Sequence, residues 1–439
     1  MTLSHLHSMF SSNNHPHKTI QTELGNATVY PLNDHPDYSI QITDKVGTIA
    51  ELWDQVSKKD NLFLQSSYLK MLEQFPPDKM TFRYLVFYHN NTPIGVSYNQ
   101  VFRLSIEDSM QQNEASEPKQ SFCILTAIKK AVKNWFIKKA EFNLLICGNM
   151  LLTGAYGYSF NDQIDASTTA ALIQDSLESL QTILDTESIK INIHLIKDHL
   201  KQSNDTLELK KTLQKDTYHP FLMQPSMHMP IRENWTNFDA YLSDMSSKYR
   251  VRAKRARKKG KDIVKKELSL EEIEANEDRI HALYKMIDDG AGFNAFLLHK
   301  KYFTELKRSL GDQYKLTAYY IDGQLIAFYT AIFNYDEMDA HFLGVDSAFN
   351  RQHQVYLNIL YDLVNRAIEG GAKQIDFART ALEIKSSVGA QAQEMLCFFK
   401  HRNALSSKFL QLVFDSLNPE EEWQPRSPFK IKEAPLSLG

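Results

Sequence analysis

The sequence predicts an α/β fold, built on a mixed sheet with α+β character, that occurs twice in tandem along the chain. Three observations lead to this prediction: the length of the chain, the order of its β-rich and amphipathic segments, and the return of that order in the second half. At 439 residues the chain exceeds one ordinary hydrophobic core, so two domains are expected. An internal duplication explains the repeated order more simply than two unrelated folds do.

A β-hairpin is predicted in each half. Residues 84–101 and 317–333 each contain two β-rich runs joined by a short polar turn. The second turn is Asp322-Gly323, a dipeptide that favours two-residue hairpin turns. The first turn is rich in asparagine and is a looser signal of the same kind.

The same three elements follow both hairpins. A strand with glycine-containing turns comes first, then an amphipathic helix whose apolar residues recur at helical spacing, and then another strand. These segments are 142–160, Ala166–Thr186 and Ile189–Ile196 in the first half, and 338–350, Gln354–Glu369 and Gln374–Ala378 in the second. We therefore expect a flexible tail at 1–40, a first, degenerate domain at 41–229, a second domain at 230–415 and a C-terminal tail at 416–439.

The composition is that of a soluble globular protein, with 43% apolar and 23% charged residues. A net charge of −3 argues against general coating of nucleic acid. No segment approaches the roughly 20 apolar residues of a membrane span, and the first residues lack the pattern of a signal peptide. The cytoplasm is the predicted location.

The three cysteines, Cys123, Cys147 and Cys397, form no CxxC pair and lie in apolar sequence. This low, odd count indicates a reducing compartment. We interpret all three as core residues and not as nucleophiles. The histidines show no metal-ligand spacing, so no metal is expected.

Two stretches of the second half carry a family resemblance. SSKYRVRAKRARKKGKDI (246–263) resembles the basic signature that opens the second domain of Fem-type peptidoglycan aminoacyltransferases, and YLNILYDLVNRAIEGGAKQIDFARTALE (356–383) resembles their helix and following strand. Both stretches also resemble BioF2-like acetyltransferase domains and bacterial lipid-amine N-acyltransferases. All are members of the GNAT (acyl-CoA N-acyltransferase) superfamily, so the resemblance implies two tandem GNAT-like domains and an acyltransferase.

The sequence departs from the family at two points. The GNAT loop that binds pyrophosphate reads Q/R-x-x-G-x-G/A, whereas residues 349–357 (FNRQHQVYL) lack both glycines. Ala378-Arg379 stands where Fem-type enzymes carry glycines. The residues predicted to bind the acyl donor are Gly344, Arg351 and Gln352, together with Arg250, Lys254 and Arg257 of the basic stretch.

Asp339 and His341 are the first candidates for catalysis. They alternate with Met338 and Ala340 along a predicted strand, so both polar side chains lie on one face. In a cleft of the sheet, His341 would take a proton from an amine while Asp339 orients its ring. The alternative is a solvent-facing strand edge or a hydrogen-bonded core histidine.

A cluster of charges follows the next strand, in IDFARTALEIKSS. Ligands of α/β sheets bind at the carboxyl ends of strands, and four charges there need a role or mutual pairing. Asp376, Arg379 and Lys385 are candidates for substrate binding, because a guanidinium suits an anionic group. Glu383 is an alternative general base. A structural ion-pair network is the competing interpretation.

The basic stretch 248–266 contains eleven Lys or Arg in nineteen residues, with one acid, Asp262. It fits either a solvated helix surface or a helix that binds an anion, such as a nucleotide phosphate, an acyl carrier protein, tRNA or an anionic lipid. The lysine-rich segment 125–139 fits either an interfacial helix on an anionic bilayer or a core-packed amphipathic helix.

The main functional prediction is direct N-acyl transfer from a thioester, acyl-CoA or an acyl carrier protein, to an amine. The predicted acceptor is a small-molecule or lipid-like amine, with peripheral contact at the inner face of the membrane. One alternative is tRNA-dependent aminoacyl transfer to a peptidoglycan precursor, which the basic stretch favours. The other is a non-catalytic binding protein on a GNAT scaffold, which the loop without glycines favours.

Overall fold

The computed structural model describes residues 17–22, 25–105, 141–215, 217–290, 296–403 and 423–430. These residues form two compact units that do not strictly follow chain order. The N-terminal unit contains the described residues up to 223 together with 395–403, and the C-terminal unit contains 224–394 and 423–430.

The first half of the chain contributes nine strands and four α-helices to the described structure. The strands are β1 (Lys18–Thr22), β2 (Gly25–Pro31), β3 (Tyr38–Thr43), β4 (Met80–His89), β5 (Thr92–Ser105), β6 (Glu141–Cys147), β7 (Tyr158–Phe160), β8 (Ile193–Leu200) and β9 (His219–Pro230). The helices are α1 (Ala50–Val56), α2 (Ser66–Gln74), α3 (Ala166–Thr186) and α4 (Asn204–Lys215). Short 3-10 turns occur at Val46–Ile49 and Leu62–Leu64.

The second half contributes six strands and eight α-helices to the described structure. The strands are β10 (Val264–Glu267), β11 (Tyr314–Ile321), β12 (Gln324–Asn334), β13 (Glu337–Val345), β14 (Gln374–Asp376) and β15 (Gln391–His401). The helices are α5 (Phe238–Asp244), α6 (Ser247–Lys259), α7 (Leu270–Ala275), α8 (Glu277–Gly290), α9 (Tyr302–Leu310), α10 (Ser347–His353), α11 (Val355–Glu369) and α12 (Leu382–Ser386). A 3-10 turn occurs at Gly311–Gln313.

Both units have the same strand order. In the N-terminal unit β3, β4, β5 and β6 pair antiparallel, β8 joins β6 in parallel, and residues 395–401 of β15 pair antiparallel with β8. In the C-terminal unit β10 to β13 pair antiparallel, β14 joins β13 in parallel, and residues 228–230 of β9 pair antiparallel with β14. The predicted α/β fold with a tandem duplication is therefore confirmed.

The two predicted hairpin turns have the same backbone geometry. Asn90 and Asn91 have φ angles of 48° and 67°, and Asp322 and Gly323 have φ angles of 49° and 78°. Two consecutive residues with positive φ make the turn that matches the twist of paired strands, and asparagine, aspartate and glycine adopt it at the least cost. These turns align β4 with β5 and β11 with β12.

The sheet of the C-terminal unit is covered on both faces. Helix α11 packs on one face, and its buried residues share a core with Met338, Ile375 and Met229 of the strands. Helix α8 lies against β13 on the other face. Helix α6 packs against α11 through a narrow stripe of Tyr249 and two alanines, so most of its basic side chains remain at the surface.

Parts of both predicted tails belong to the described structure. The flexible tail expected at 1–40 contains β1 and β2, because alternating residues such as Ile20 and Val29 are buried while the hairpin pairs its backbone. Within the expected C-terminal tail, Phe429 packs against Trp235 and forms a bridge with Met245.

The Asn358 side chain joins helix α11 to helix α6 through hydrogen bonds. Its side chain is 1% exposed, its Nδ2 donates to the carbonyls of Ala256 and His353 at 2.9 and 3.1 Å, and its Oδ1 accepts from Arg257 at 3.2 Å. We predict that Asn358→Leu lowers the free energy of unfolding by about 3 kcal/mol, since buried partners lose their hydrogen bonds.

Chemical denaturation measures this change. Asn365→Leu on the same helix is the matched control, because the Asn365 side chain donates to Glu369 at the surface, and we expect it to shift stability by less than about 0.5 kcal/mol. Equal losses in the two variants would contradict this account of Asn358.

Candidate active site

A β-bulge in β13 determines where the site residues point. Ala340 pairs with Ala331 and Leu343 pairs with Tyr329, so His341 and Phe342 together stand opposite Thr330 alone. The Thr330 hydroxyl closes the bulge: it donates to the Phe342 carbonyl at 2.8 Å and accepts from the Phe342 N–H at 2.9 Å. A bulge re-aims side chains, and here His341 and Phe342 both face α9.

His341 is held by Tyr302 of α9. The Tyr302 hydroxyl lies 2.7 Å from His341 Nε2, and the Phe342 ring packs edge-on at 4.4 Å. Burial lowers the pKa of His341 to about 3, so its ring is neutral at physiological pH. The residue remains partly exposed. Tyr302 therefore makes the hydrogen bond that orients this ring, whereas the sequence predicted that Asp339 would orient it.

Three polar residues form a row across three adjacent strands. Asp339 of β13 is in register with Asp376 of β14, which is in register with His228 of β9. Register partners share a face, and their chain neighbours Met338 and Ile375 lie in the apolar core on the opposite face. Asp339, Asp376 and His228 are 5%, 4% and 8% exposed.

The Asp376 carboxylate accepts two hydrogen bonds from protein donors. Its Oδ1 accepts from the Ser226 hydroxyl at 2.8 Å and from the Ala378 N–H at 2.6 Å, and His228 Nε2 lies 3.6 Å away. Gln374 Nε2 donates to His228 Nδ1 at 3.1 Å and to Glu337 Oε1 at 3.0 Å. Because Nδ1 accepts from Gln374, Nε2 carries a proton and faces Asp376.

Asp339 differs from Asp376 at its Oδ2 atom. Its Oδ2 is buried without a hydrogen-bond partner among the residues that the structure describes. Burial raises the pKa of Asp339 well above its usual range, and the neighbouring Asp376 and Glu337 carboxyls raise it further. Burial also raises the pKa of Glu337. Carboxyls placed so close together in a low dielectric cannot all carry charge at small cost.

Lys385 stabilises the chain reversal after β14. Its Nζ donates to the carbonyls of Phe377, Ala378 and Arg379 at 2.6, 3.3 and 2.5 Å. Ala378 has a φ of 55°, and Thr380 has a φ of 68°. Ala378 and Thr380 therefore take the left-handed conformation that glycine adopts most easily. Each non-glycine residue in this conformation costs on the order of 1 kcal/mol of stability.

Burial lowers the pKa of Lys385 to about 7, although Asp376 opposes the shift. The other two predicted charges point elsewhere. Arg379 Nε donates to the Gln224 carbonyl at 2.8 Å. Glu383 forms an ion pair with Arg426, and its side chain is 52% exposed. The structure thus brings Asp376 and Lys385 together, while Glu383 lies at the surface.

The residues predicted to bind the donor divide into two groups. Arg351 and Gln352 are exposed on α10, next to the start of α11, and Lys254 is exposed on α6. The remaining three make contacts within the protein. Arg250 donates to the Met245 carbonyl, Arg257 pairs with Asp362 at 2.7 Å, and Gly344 packs against Leu283 and the Phe328 ring.

The end of the basic helix lies beside this surface. His353 Nδ1 of α10 is 3.2 Å from the Lys259 carbonyl. Helix α11 begins at Val355 after Gln354, which has a left-handed conformation and makes no side-chain cap. The Tyr356 N–H in the first turn of α11 donates to Asn350 Oδ1 at 3.0 Å. The N–H groups at a helix N-terminus flanked by cations attract phosphate.

Residues 247–386 match the family model of the acetyltransferase (GNAT) domain. This segment is similar to GNAT domains. It runs from the first residue of α6 to the last residue of α12, so it includes Asp339, His341, Asp376 and Lys385. The predicted GNAT resemblance and the assignment as an acyltransferase are confirmed. A GNAT domain implies acyl-CoA as a general co-substrate and an amine as acceptor.

Several solved structures are similar to the chain. FemX has 12% sequence identity and a TM-score of 0.49, with 84% of this chain and 100% of that chain covered. A tandem GNAT protein from the clavulanic acid biosynthesis pathway has 8% identity and a TM-score of 0.43, with coverages of 83% and 99%. The C-terminal domain of a putative lysylphosphatidylglycerol synthetase from Agrobacterium fabrum has 7% identity and a TM-score of 0.40, with coverages of 71% and 96%. No curated protein matches the chain.

Two features are absent from the residues that the structure describes. No helix among them is long and apolar enough to cross a membrane, and no group of three or more His, Cys, Asp or Glu is arranged to hold a metal ion. The predicted interfacial segment 125–139 and Cys123 lie outside the described residues. Cys147 is buried, and burial raises the pKa of its thiol to about 12.

Four residues of the site were not predicted: Tyr302, His228, Gln374 and Glu337. Tyr302 lies on a different element from His341, so nothing in the local sequence links them. For His228 a signal was available, because Ser226 and His228 alternate with two methionines in PSMHMP (225–230). Such alternation places polar side chains on one face of a strand.

Lys385 makes a specific prediction about pH. The unfolded chain binds this proton near the ordinary pKa of 10.5, more tightly than the folded chain, which releases it near pH 7. Stability therefore rises with pH wherever the unfolded state holds more protons, so we expect the free energy of unfolding to increase between about pH 7 and 10.

Lys385→Met should remove this pH-dependent gain and should destabilise the protein by about 3 kcal/mol at pH 7, because three carbonyls lose their donor. Urea titrations at several pH values measure both effects. Lys373→Met is the control, since Lys373 forms only a surface ion pair with Asp336. An unchanged pH profile in Lys385→Met would refute the assignment.

Proposed function

We propose that the GNAT domain transfers an acyl group from a thioester to an amine, with His341 as the residue that accepts a proton from the attacking nitrogen. The observation that carries the proposal is the geometry of His341. It is partly exposed, fixed by Tyr302, and aimed by the bulge of β13. A neutral imidazole held in one orientation is suited to accept a proton.

The reaction needs no covalent intermediate on the protein. The amine lone pair attacks the thioester carbonyl, the C–N bond forms, and the C–S bond breaks as the tetrahedral intermediate collapses. The nitrogen gives one proton to His341, and the thiolate leaves and is protonated. A strand N–H would stabilise the oxyanion. The Phe342 N–H is already bonded to Thr330, which assigns this role to another N–H of the strand.

The donor is proposed to be acyl-CoA, bound at the start of α11. Exposed Arg351 and Lys254, the N-terminus of α11 and the end of the basic helix suit the phosphates of CoA. The loop lacks the family glycines, so we propose that cationic side chains replace part of the backbone contact. An acyl carrier protein offers the same thioester and would bind the exposed basic face of α6 instead.

The proposed acceptor is a lipid-like amine at an anionic membrane surface. Its support is the exposed basic face of α6, which is attracted to anionic lipid. The same face supports the second candidate, aminoacyl transfer from tRNA. The first half is proposed to be non-catalytic, because β6, which corresponds to β13, carries Leu144, Leu145 and Ile146 and no equivalent of His341.

Product analysis tests this proposal. The protein is incubated with acetyl-CoA or longer acyl-CoA and a lysate treated with ribonuclease, and acylated products are identified by mass spectrometry. We expect an acylated amine from the parent protein and a rate at least about 100-fold lower for His341→Ala, the usual range for loss of a positioned base.

Glu383→Ala is the matched control and should retain nearly the parent rate, because Glu383 pairs with Arg426 at the surface. Parent-level turnover in His341→Ala would refute the role of His341. Product formation that requires charged tRNA would favour aminoacyl transfer, with binding that weakens steeply as salt increases. No product from any thioester would support a binding protein.

A further inference from the structure

The N-terminal unit contains a cavity that the proposed acyl transfer does not use. Its volume is about 350 Å³. Its walls come from the loop before α2, from β7 and the turn after it, and from the first turns of α3 and α4. This volume lies within the range of sites that bind small organic molecules.

The place of the cavity in the N-terminal unit corresponds to that of the proposed donor site in the C-terminal unit. Helix α3 connects β6 to its parallel neighbour β8, as α11 connects β13 to its parallel neighbour β14. Ala166 and Thr169, in the first turn of α3, line the cavity. The two units can therefore be compared at the same helix end, where the C-terminal unit is proposed to bind the phosphates of CoA.

The charges around the N-terminal cavity do not suit an anion. Asp165 caps the N-terminus of α3 with its carboxylate. Asp60, Asp162 and Asp205 line the cavity. The Lys58 ammonium, which also lines it, lies 2.9 Å from the Asp162 carboxylate and forms an ion pair with it. Because like charges repel, these carboxylates disfavour a phosphate at this helix end.

The polar groups of the cavity include hydrogen-bond donors and acceptors side by side. Asn161 lines the cavity, and its Oδ1 is a buried acceptor without a hydrogen-bond partner among the described residues. Lys58 and the Thr169 hydroxyl are donors in the same wall. A ligand hydroxyl donates and accepts at once, so it can bond both kinds of group. An ammonium only donates, and it would compete with Lys58 for Asp162.

Tyr158 gives the cavity an apolar surface. Its ring stacks on the His199 ring, with 5.7 Å between the ring centroids and 26° between the ring planes. The buried side chains of Phe160 and Leu209 line the cavity as well. The C–H face of a sugar ring is apolar, and it can pack against such a surface while the sugar hydroxyls reach the polar groups.

We propose that this cavity binds a small uncharged carbohydrate. The N-terminal unit is then a sugar-binding module, which goes beyond the acyl transfer proposed for the C-terminal unit. The proposal does not depend on that reaction, because the residues that carry it belong to the N-terminal unit.

Binding of simple sugars tests the proposal. Saturation-transfer NMR with D-glucose, D-galactose and N-acetyl-D-glucosamine detects binding to the full-length protein, and calorimetry measures the affinity of the sugar with the strongest signal. We expect saturable binding with a dissociation constant of about 1 mM or tighter. Thr169→Trp fills the cavity from α3 and should abolish binding. Asp205→Ala should weaken binding by at least about tenfold, as for loss of a hydrogen bond to a charged group.

Thr182→Trp and Glu208→Ala are the matched controls on the same two helices. Thr182 is exposed on α3, and its hydroxyl donates to the Glu178 carbonyl at 2.9 Å. Glu208 forms a surface ion pair with Lys211 on α4. Neither residue is among those that line the cavity, so each variant should change the affinity by less than about twofold. Thermal melts establish that every variant is folded, and Asp205→Ala keeps the proposal testable if Thr169→Trp unfolds.

Three results would overturn the proposal: no binding of any of the three sugars, binding that is unchanged in the folded cavity variants, or CoA binding that Thr169→Trp abolishes. The last result would show that the cavity is a donor site. These results differ from failure of the proposed function. Sugar binding that depends on Thr169 and Asp205 in a protein that acylates nothing would refute acyl transfer and leave the sugar site intact.

Discussion

The register of three strands is the constraint on which the site depends. Because β14 pairs in parallel with β13 and antiparallel with β9, His228, Asp376 and Asp339 fall in one row on one face. The opposite face of the same strands is filled by the core under α11. A slip of one residue in either pairing would exchange these faces and bury the methionines of β9 and β13 among charges. The register that stabilises the core therefore also concentrates the carboxyls.

Strain and desolvation are concentrated around the same row. The chain after β14 takes left-handed conformations at non-glycine residues, and Lys385 supplies the hydrogen bonds that hold them. The bulge of β13 is closed by Thr330 and turns His341 toward Tyr302. Left-handed non-glycine residues and buried polar groups cost stability. They lie beside Asp339, within the residues 247–386 that match the GNAT family model. We therefore relate their cost in stability to the proposed chemistry.

Local rules predicted the framework well. Helix α3 occupies the predicted Ala166–Thr186, and both hairpin turns have the geometry that their polar residues favour. The alternation of Asp339 and His341 placed both on one face, but the bulge after Ala340 has no marker in the sequence. His228 lies more than 100 residues from Asp339, so their shared row depends on pairing that no local pattern encodes. Lys385 bonds backbone carbonyls, which are the same for every residue type and leave no trace in sequence.

The central claim is that Asp339 shares a buried row with Asp376 and therefore holds its proton to unusually high pH. A ¹³C NMR titration of aspartate side-chain carboxyls, with Asp339 assigned from the Asp339→Asn spectrum, measures this directly. The account predicts a titration midpoint for Asp339 well above the usual 3.8. A midpoint at or below that value would show that Asp339 is solvated or paired with a cation, and would contradict the row as the basis of the site.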